Sequence, residues 1–159
     1  MEILKVGIAD MRVSTNDSII RTSGLGSCVG ITLYDVTVNV GGMVHIMLPE
    51  SPNKRTFKRA KYADTGIIDL IEEIEKKGGK KRKLVSKIAG GAQMFKFSGG
   101  SELLKIGERN IKAVKTILND LNIELLAEDV GGNYGRTIDL YCNTGRLLIK
   151  TVNQGVKEV

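Results

Sequence analysis

The chain carries one histidine, His45, and two cysteines, Cys28 and Cys142. Cys28 lies in Thr22-Ser23-Gly24-Leu25-Gly26-Ser27-Cys28-Val29-Gly30. His45 follows 17 residues later, in Gly41-Gly42-Met43-Val44-His45-Ile46-Met47-Leu48-Pro49. A cysteine attacks a carbonyl carbon as the thiolate. A neighbouring imidazole can take the thiol proton and later return it to a departing amine. With a single histidine in the sequence, only His45 can play that part. A third group usually fixes the ring, and the Thr22 hydroxyl is the candidate, although spacing alone does not select it. Gly24 and Gly26 allow backbone shapes barred to other residues and leave room for a substrate chain. Backbone N–H groups near Ser27 and Cys28 can hold an oxyanion, which makes Gly26 and Ser27 candidate substrate or oxyanion residues. The plainer alternative is that Cys28 merely packs, as free cysteines often do, after an ordinary tight turn. Cys142, beside Leu140 and Tyr141, reads as an inert strand residue.

These side chains need strands to bring them together. Val29, Ile31 and Leu33 alternate as one strand, and residues 42–48 read as the next. A hairpin centred between Val36 and Thr37 would pair residues whose numbers sum to 73, setting Cys28 opposite His45. Directly opposed Cβ atoms lie about 4.5–5.5 Å apart. Val36-Thr37 is a poor two-residue turn, because such turns favour Asn, Asp or Gly. A longer loop through Asn39 would move the register.

Around this pair the chain reads as a mixed domain. Leu4, Val6 and Ile8 alternate as a first strand, and residues 10–20 read as polar and turn-rich. The stretch 49–60 is a basic loop holding both prolines, Pro49 and Pro52. Residues 62–77 predict a helix with Ile67, Ile71 and Ile74 on its inner stripe and Ile68 beside them. Gly78-Gly79 ends it. Residues 84–89 read as a strand, 90–100 as a glycine-punctuated loop, and 110–122 as a second helix facing inward with Ile111, Val114, Leu118 and Leu121. Strands near 123–129, 137–142 and 146–152 follow, the last two joined by the hairpin signal Asn143-Thr144-Gly145. Three strands, a helix, a strand, a helix and three strands make an α/β chain of α+β character, rich in hairpins.

Composition narrows the function. A chain of 159 residues fits one domain spanning 1–159. The two cysteines, 114 positions apart, do not form a secreted disulfide framework. No signal peptide and no membrane-length apolar run is apparent, so the reading is a cytoplasmic protein that is not membrane-inserted. One histidine and two distant cysteines do not make a zinc set, and no cofactor is expected. The net charge of +6 is concentrated in Lys76-Lys77-Gly78-Gly79-Lys80-Lys81-Arg82-Lys83. That run is either a patch for an acidic partner or a solvated turn. The turn is favoured and no nucleic-acid partner is expected, because the run has no interleaved aromatics for stacking. The loops 90–97 and 131–136 fit a substrate rim or a core-edge turn equally well, and neither has the context of a phosphate loop.

With these residues in view, the chain resembles the CheD family, the chemoreceptor glutamine deamidases of bacterial and archaeal chemotaxis. The likeness rests on Leu25-Gly26-Ser27-Cys28-Val29, Leu33-Tyr34-Asp35, the segment around His45, and Tyr62-Ala63-Asp64. It continues in Lys87-Ile88-Ala89-Gly90-Gly91-Ala92-Gln93-Met94-Phe95, Ile106-Gly107-Glu108-Arg109-Asn110, Asp129-Val130-Gly131-Gly132 and Gly135-Arg136. It covers about residues 20 to 150. The resemblance implies a cysteine hydrolase with Cys28 as nucleophile, His45 as base and Thr22 as the orienting hydroxyl. The implied substrates are glutamines in the cytoplasmic domains of methyl-accepting chemoreceptors, and methyl esters could be a side substrate. It implies the CheC phosphatase as a partner, and the alternative function is a mainly non-catalytic binder of CheC. It also implies a mixed, largely antiparallel β-sandwich flanked by helices, similar to the catalytic domains of deamidating toxins.

Overall fold

The computed structural model describes residues 1–15, 17–53, 55–94 and 105–159. Residues 95–100 of the glycine-punctuated loop, including the end of the 90–97 segment read above as a rim or a core-edge turn, lie outside them. Among the described residues, ten strands and two α-helices appear in the order β1 (Glu2–Lys5), β2 (Met11–Thr15), β3 (Ser18–Leu25), β4 (Val29–Asp35), β5 (Val40–Ile46), α1 (Ala63–Lys76), β6 (Leu84–Gly90), α2 (Ile106–Asp120), β7 (Glu124–Val130), β8 (Arg136–Tyr141), β9 (Leu147–Thr151) and β10 (Gly155–Glu158). One sheet runs β1-β3-β8-β9-β10 and the other β2-β5-β4-β6-β7. Only the β1–β3 and β6–β7 pairs are parallel; the other pairs are antiparallel. The expected mixed, largely antiparallel sandwich with flanking helices is the observed architecture.

The central strands explain the layering. Every residue of β4 and β5 is buried, so both faces of these strands are covered. Val29, Ile31, Leu33, Val44 and Ile46 pack with Ile67, Leu70 and Ile74 of α1 and with Val114 and Leu118 of α2. Met43, on the opposite face, packs with Ile20, Leu25, Ile138, Leu140, Leu147 and Ile149 of the other sheet. The helices therefore cover one face of the β4–β5 sheet, and the second sheet covers the other. Each fully buried Ile or Leu contributes about 1.5–3 kcal/mol, so both interfaces are firmly held.

The sequence reading needs correction in several places. Residues 10–20 are not only turns: they contain β2 and the start of β3. The inward positions of β3 include Ser18 and Thr22, both buried and polar, so the strand lacks a clean apolar alternation. β1 ends at Lys5, with Val6 buried and Ile8 58% exposed, so the first alternation breaks there. α1 keeps Ile67, Ile71 and Ile74 inside and turns Ile68 outward. α2 begins at Ile106, four residues earlier than expected, which moves Asn110 from the helix start to its buried side. β10 was not anticipated. The basic run contains an exposed single turn, residues 81–83, between α1 and β6, as the solvated-turn reading has it.

The β4–β5 register also differs from the sequence estimate. Gly30, not Cys28, stands opposite His45, and paired numbers sum to 75. The loop from Val36 to Asn39 has four residues, with Asn39 in the left-handed region at φ 53°. Asp35 Oδ1 accepts from the Thr37 N–H at 2.9 Å and the Thr37 hydroxyl at 2.6 Å, which stabilises this longer turn. A shift of two positions leaves every side chain on its original face, because the strand period is two.

Candidate active site

Thr22 and His45 come from different sheets, and both point into the space between them. Thr22 is 2% exposed and His45 is fully buried. The Thr22 hydroxyl donates to the Val6 carbonyl at 2.8 Å and lies 2.7 Å from His45 Nδ1. A hydroxyl has one proton to give, and the Val6 carbonyl can only accept. The second contact therefore runs from His45 Nδ1–H to Thr22 Oγ1. This fixes the neutral imidazole as the Nδ1–H tautomer, with the Nε2 lone pair free. Nε2 is buried and has no hydrogen-bond partner among the described residues.

The segment after β1 ties this arrangement together. The Val6 N–H donates to the Arg21 carbonyl at 2.8 Å, beside Thr22. Ala9 N–H donates to the His45 carbonyl at 2.9 Å, and the His45 N–H donates to the Asp10 carbonyl at 3.1 Å. One short stretch of chain thus holds the Thr22 hydroxyl and the His45 backbone.

Burial sets the charge of the histidine. It lowers the His45 pKa from 6.5 to about 4, because a buried imidazolium loses its hydration. At neutral pH the ring is an uncharged base.

Cys28 follows a distortion in β3. The β3–β8 register slips between Thr22 and Leu25: three steps on β3 match two on β8. This is a β-bulge, which re-aims the strand, and Gly24 within it takes φ 71°, a conformation side chains disfavour. Gly26, by contrast, is not in that region; a Cβ there would crowd the Met94 side chain at 3.2 Å. Cys28 stands one residue before β4 and is partly exposed. Its carbonyl accepts from Gly91 N–H at 2.8 Å, and the Gly26 carbonyl accepts from Ala92 N–H at 2.8 Å. Burial raises the Cys28 pKa, while its own backbone N–H, set against the sulfur, lowers it by less.

The two reactive groups share one side of the sheet. Cys28 has the same parity as Gly30, which faces Ile138 of the other sheet, and Cys28 packs against that inter-sheet core. The observed register makes Cys28 a diagonal neighbour of His45 rather than its direct partner. Diagonal neighbours sit roughly 7–8 Å apart at Cα, within range of longer side chains. The thiol and Nε2 are not hydrogen-bonded here. Catalytic hydrogen bonds often tighten only when substrate binds.

The two ambiguous loops support the cysteine from behind. Gly131 N–H donates to the Gly90 carbonyl at 3.0 Å, and Gln93 N–H donates to the Gly132 carbonyl at 2.9 Å. Arg136 is buried, with Nη2 3.4 Å from Asp129 Oδ1 and its guanidinium 4.5 Å from the Tyr134 ring centre. Residues 131–136 therefore brace the end of β6, which in turn braces Cys28. Cys142 is fully buried in the inter-sheet core, as the inert reading has it. Asn110, which the sequence marks only as the start of a helix, reaches the same two segments. Its Nδ2 donates to the Ser27 and Met47 carbonyls, each at 2.9 Å.

Comparison with known proteins adds a family. The CheD profile, described as "CheD chemotactic sensory transduction", matches residues 47–151, a span that begins after His45. Whole-chain relatives cover the remainder. A protein of Caldanaerobacter subterraneus subsp. tengcongensis, named a probable chemoreceptor glutamine deamidase CheD, is 53% identical over 160 residues, covering 99% of this chain and 98% of its own. The chemoreceptor glutamine deamidase CheD of Halalkalibacterium halodurans is 52% identical over 160 residues, covering 99% of each chain. A third relative, from Syntrophomonas wolfei subsp. wolfei, is 52% identical over 155 residues.

Proposed function

The chain belongs to the CheD family, and from that premise we propose that it deamidates selected glutamine side chains of chemoreceptors, using Cys28, His45 and Thr22. The names of the relatives support the reaction class. The observation that carries the residue assignment is the orientation of His45: Thr22 holds Nδ1–H, and the Nε2 lone pair is left free.

The proposed reaction starts from an uncharged thiol and an uncharged imidazole. As the glutamine carboxamide enters, His45 Nε2 takes the Cys28 proton and the sulfur attacks the carboxamide carbon. The carbonyl oxygen becomes an oxyanion held by backbone N–H groups at Ser27 and Cys28, beside Gly26. The His45 imidazolium gives its proton to the nitrogen, the C–N bond breaks, and ammonia leaves. A glutamyl thioester remains on Cys28. His45 then takes a proton from water, the hydroxide adds to the thioester carbon, and the C–S bond breaks. The sulfur recovers its proton and the product is glutamate. The net change is one water consumed and one ammonia released. The same steps would cleave a glutamyl methyl ester, with methanol leaving in place of ammonia.

The low pKa of His45 suits this cycle. An imidazolium formed in a buried site gives up its proton readily, which favours protonation of the leaving nitrogen. Thr22 turns the ring toward its work but supplies no negative charge, unlike a carboxylate partner.

The proposed setting is the cytoplasm, where receptor signalling domains lie. No helix among the described residues is long and apolar enough to cross a membrane. We also propose that residues 1–159 act as a single domain and that the CheC phosphatase binds it and is regulated by it, as the family resemblance implies. The test of the main reading is mass spectrometry of a receptor cytoplasmic fragment before and after incubation. Each Gln-to-Glu conversion adds about one dalton, and no conversion by the wild-type protein would defeat the proposal.

A further inference from the structure

We propose that Asn110 is a positioning residue: it fixes the Ser27–Cys28 peptide so that the Cys28 N–H faces the oxyanion. The inference rests on the proposed use of Cys28 as a nucleophile and deepens it.

Asn110 is fully buried on α2, yet both protons of its amide leave the helix. One goes to the Ser27 carbonyl and the other to the Met47 carbonyl, each at 2.9 Å. Ser27 immediately precedes Cys28, and Met47 comes two residues after His45. One side chain therefore joins the segment carrying the nucleophile to the segment carrying the base. The amide cannot be reversed, because both neighbours are carbonyl oxygens and only its nitrogen can donate. Its own oxygen, Oδ1, is buried with no hydrogen-bond partner among the described residues. Leaving a buried acceptor unpaired is unfavourable, so the side chain is not placed there for its own satisfaction.

The peptide geometry gives this clamp its consequence. No peptide bond among the described residues is cis. In a planar trans peptide the carbonyl and the N–H point in opposite directions. Drawing the Ser27 carbonyl toward Asn110 therefore turns the Cys28 N–H away from α2. On that opposite side of the sheet, Cys28 packs into the inter-sheet layer that also holds His45 and Thr22. The Cys28 side chain packs on that same side, so donor and proposed nucleophile share it. Among the described residues this N–H donates to no other backbone carbonyl. A free donor beside a nucleophilic sulfur is where the oxyanion of a tetrahedral intermediate forms.

The experiment compares two reactions of Cys28 in the intact protein. With p-nitrophenyl acetate the sulfur adds to an ester carbonyl, an oxyanion forms, and p-nitrophenolate leaves to give an acetyl thioester. With iodoacetamide the sulfur displaces iodide from a saturated carbon, and no oxyanion forms. In Asn110→Ala, Cys28-dependent p-nitrophenolate release is expected to fall on the order of 100-fold, with alkylation changed less than about threefold. A parallel fall in both rates would assign Asn110 a general structural role and overturn the proposal. Unchanged acylation in a folded variant would also overturn it. Circular dichroism reports folding; if the alanine variant does not fold, Asn110→Ser is read by the same ratio of rates. Ammonia release from a receptor fragment is measured separately on the wild type. If that fails while the acylation effect holds, the receptor reading falls and the role of Asn110 stands.

Discussion

Thr22 Oγ1 and His45 Nδ1 stand 2.7 Å apart across the gap between two sheets, and the Val6 carbonyl settles the direction of the proton. The contact makes the site a product of sandwich closure. Neither sheet alone contains both the His45 ring, the proposed base, and the hydroxyl that holds it. The chain Val6–Thr22–His45 also leaves one imidazole nitrogen free, which is the state a general base needs.

Replacing Cys28 with alanine removes the only partly exposed thiol, since Cys142 is buried. Ammonia release from a receptor fragment is expected to vanish. Stability should change by no more than about 1 kcal/mol, because Cys28 lies at the edge of the core. Enzyme-coupled ammonia detection and a thermal melt check the two parts, and retained release would remove Cys28 from the mechanism.

Thr22→Val keeps the size of the side chain but removes the hydroxyl. It leaves the Val6 carbonyl and the His45 Nδ1–H unpaired in a buried place, at a cost of about 1–3 kcal/mol. The ring is then free to change tautomer, and kcat is expected to drop about 10- to 100-fold with KM little altered, by analogy with other groups that orient a histidine. Thr22→Ser retains the donor and should recover most of the rate. Steady-state kinetics of the three proteins decide the matter.

Acid should weaken the fold through His45. Its pKa is about 4 when folded against 6.5 in the free side chain. Between these values the unfolded chain binds the proton and the folded chain does not, so stability is full above about pH 6.5 and falls as the pH drops toward 4. The loss amounts to roughly 3 kcal/mol across that window. Urea titrations at several pH values measure it. The dependence should shrink in His45→Gln, and an unchanged slope in that variant would point to other groups.

The thiol should behave as an ordinary or weaker acid until substrate arrives. Burial raises the Cys28 pKa above 9.0, and no imidazolium stands beside it at neutral pH. Alkylation by iodoacetamide is therefore expected to climb about tenfold per pH unit from pH 7 to 9. A plateau at neutral pH would reveal a thiolate–imidazolium pair already formed at rest.

Gly90 offers a test of the support behind Cys28. It has φ 117°, and a Cβ there would overlap the Cys28 carbonyl oxygen. Gly90→Ala must distort one strand or the other, with an expected destabilisation of about 2 kcal/mol or more. Deamidation should fall with it, because the displaced atoms belong to Cys28, the proposed nucleophile. Chemical denaturation and the ammonia assay report the two effects.

Much of the architecture was legible along the chain. Ile67, Ile71 and Ile74 mark α1 because burial of one helical stripe repeats with the helix period. Val29, Ile31 and Leu33 mark β4 for the matching reason in a strand. β3 is not legible in the sequence because its inner face holds Ser18 and Thr22, and hydropathy cannot tell a buried hydroxyl from an exposed one. Asn110 escaped notice because a polar residue at the head of an apolar stripe looks like a helix boundary.

A single histidine and one glycine-flanked cysteine are legible from residue types alone, as are two adjacent strands to carry them. Parity also placed both on one face, since a shift of two residues in the hairpin leaves faces unchanged. Folding supplied what spacing could not. It set the register at Gly30 opposite His45, through a four-residue turn held by Asp35. It brought Thr22 and the Val6 carbonyl to the ring, and Asn110 to the Ser27 and Met47 carbonyls. These contacts join residues distant in sequence, and they exist only once hydrophobic burial has closed the two sheets and docked α2 against them.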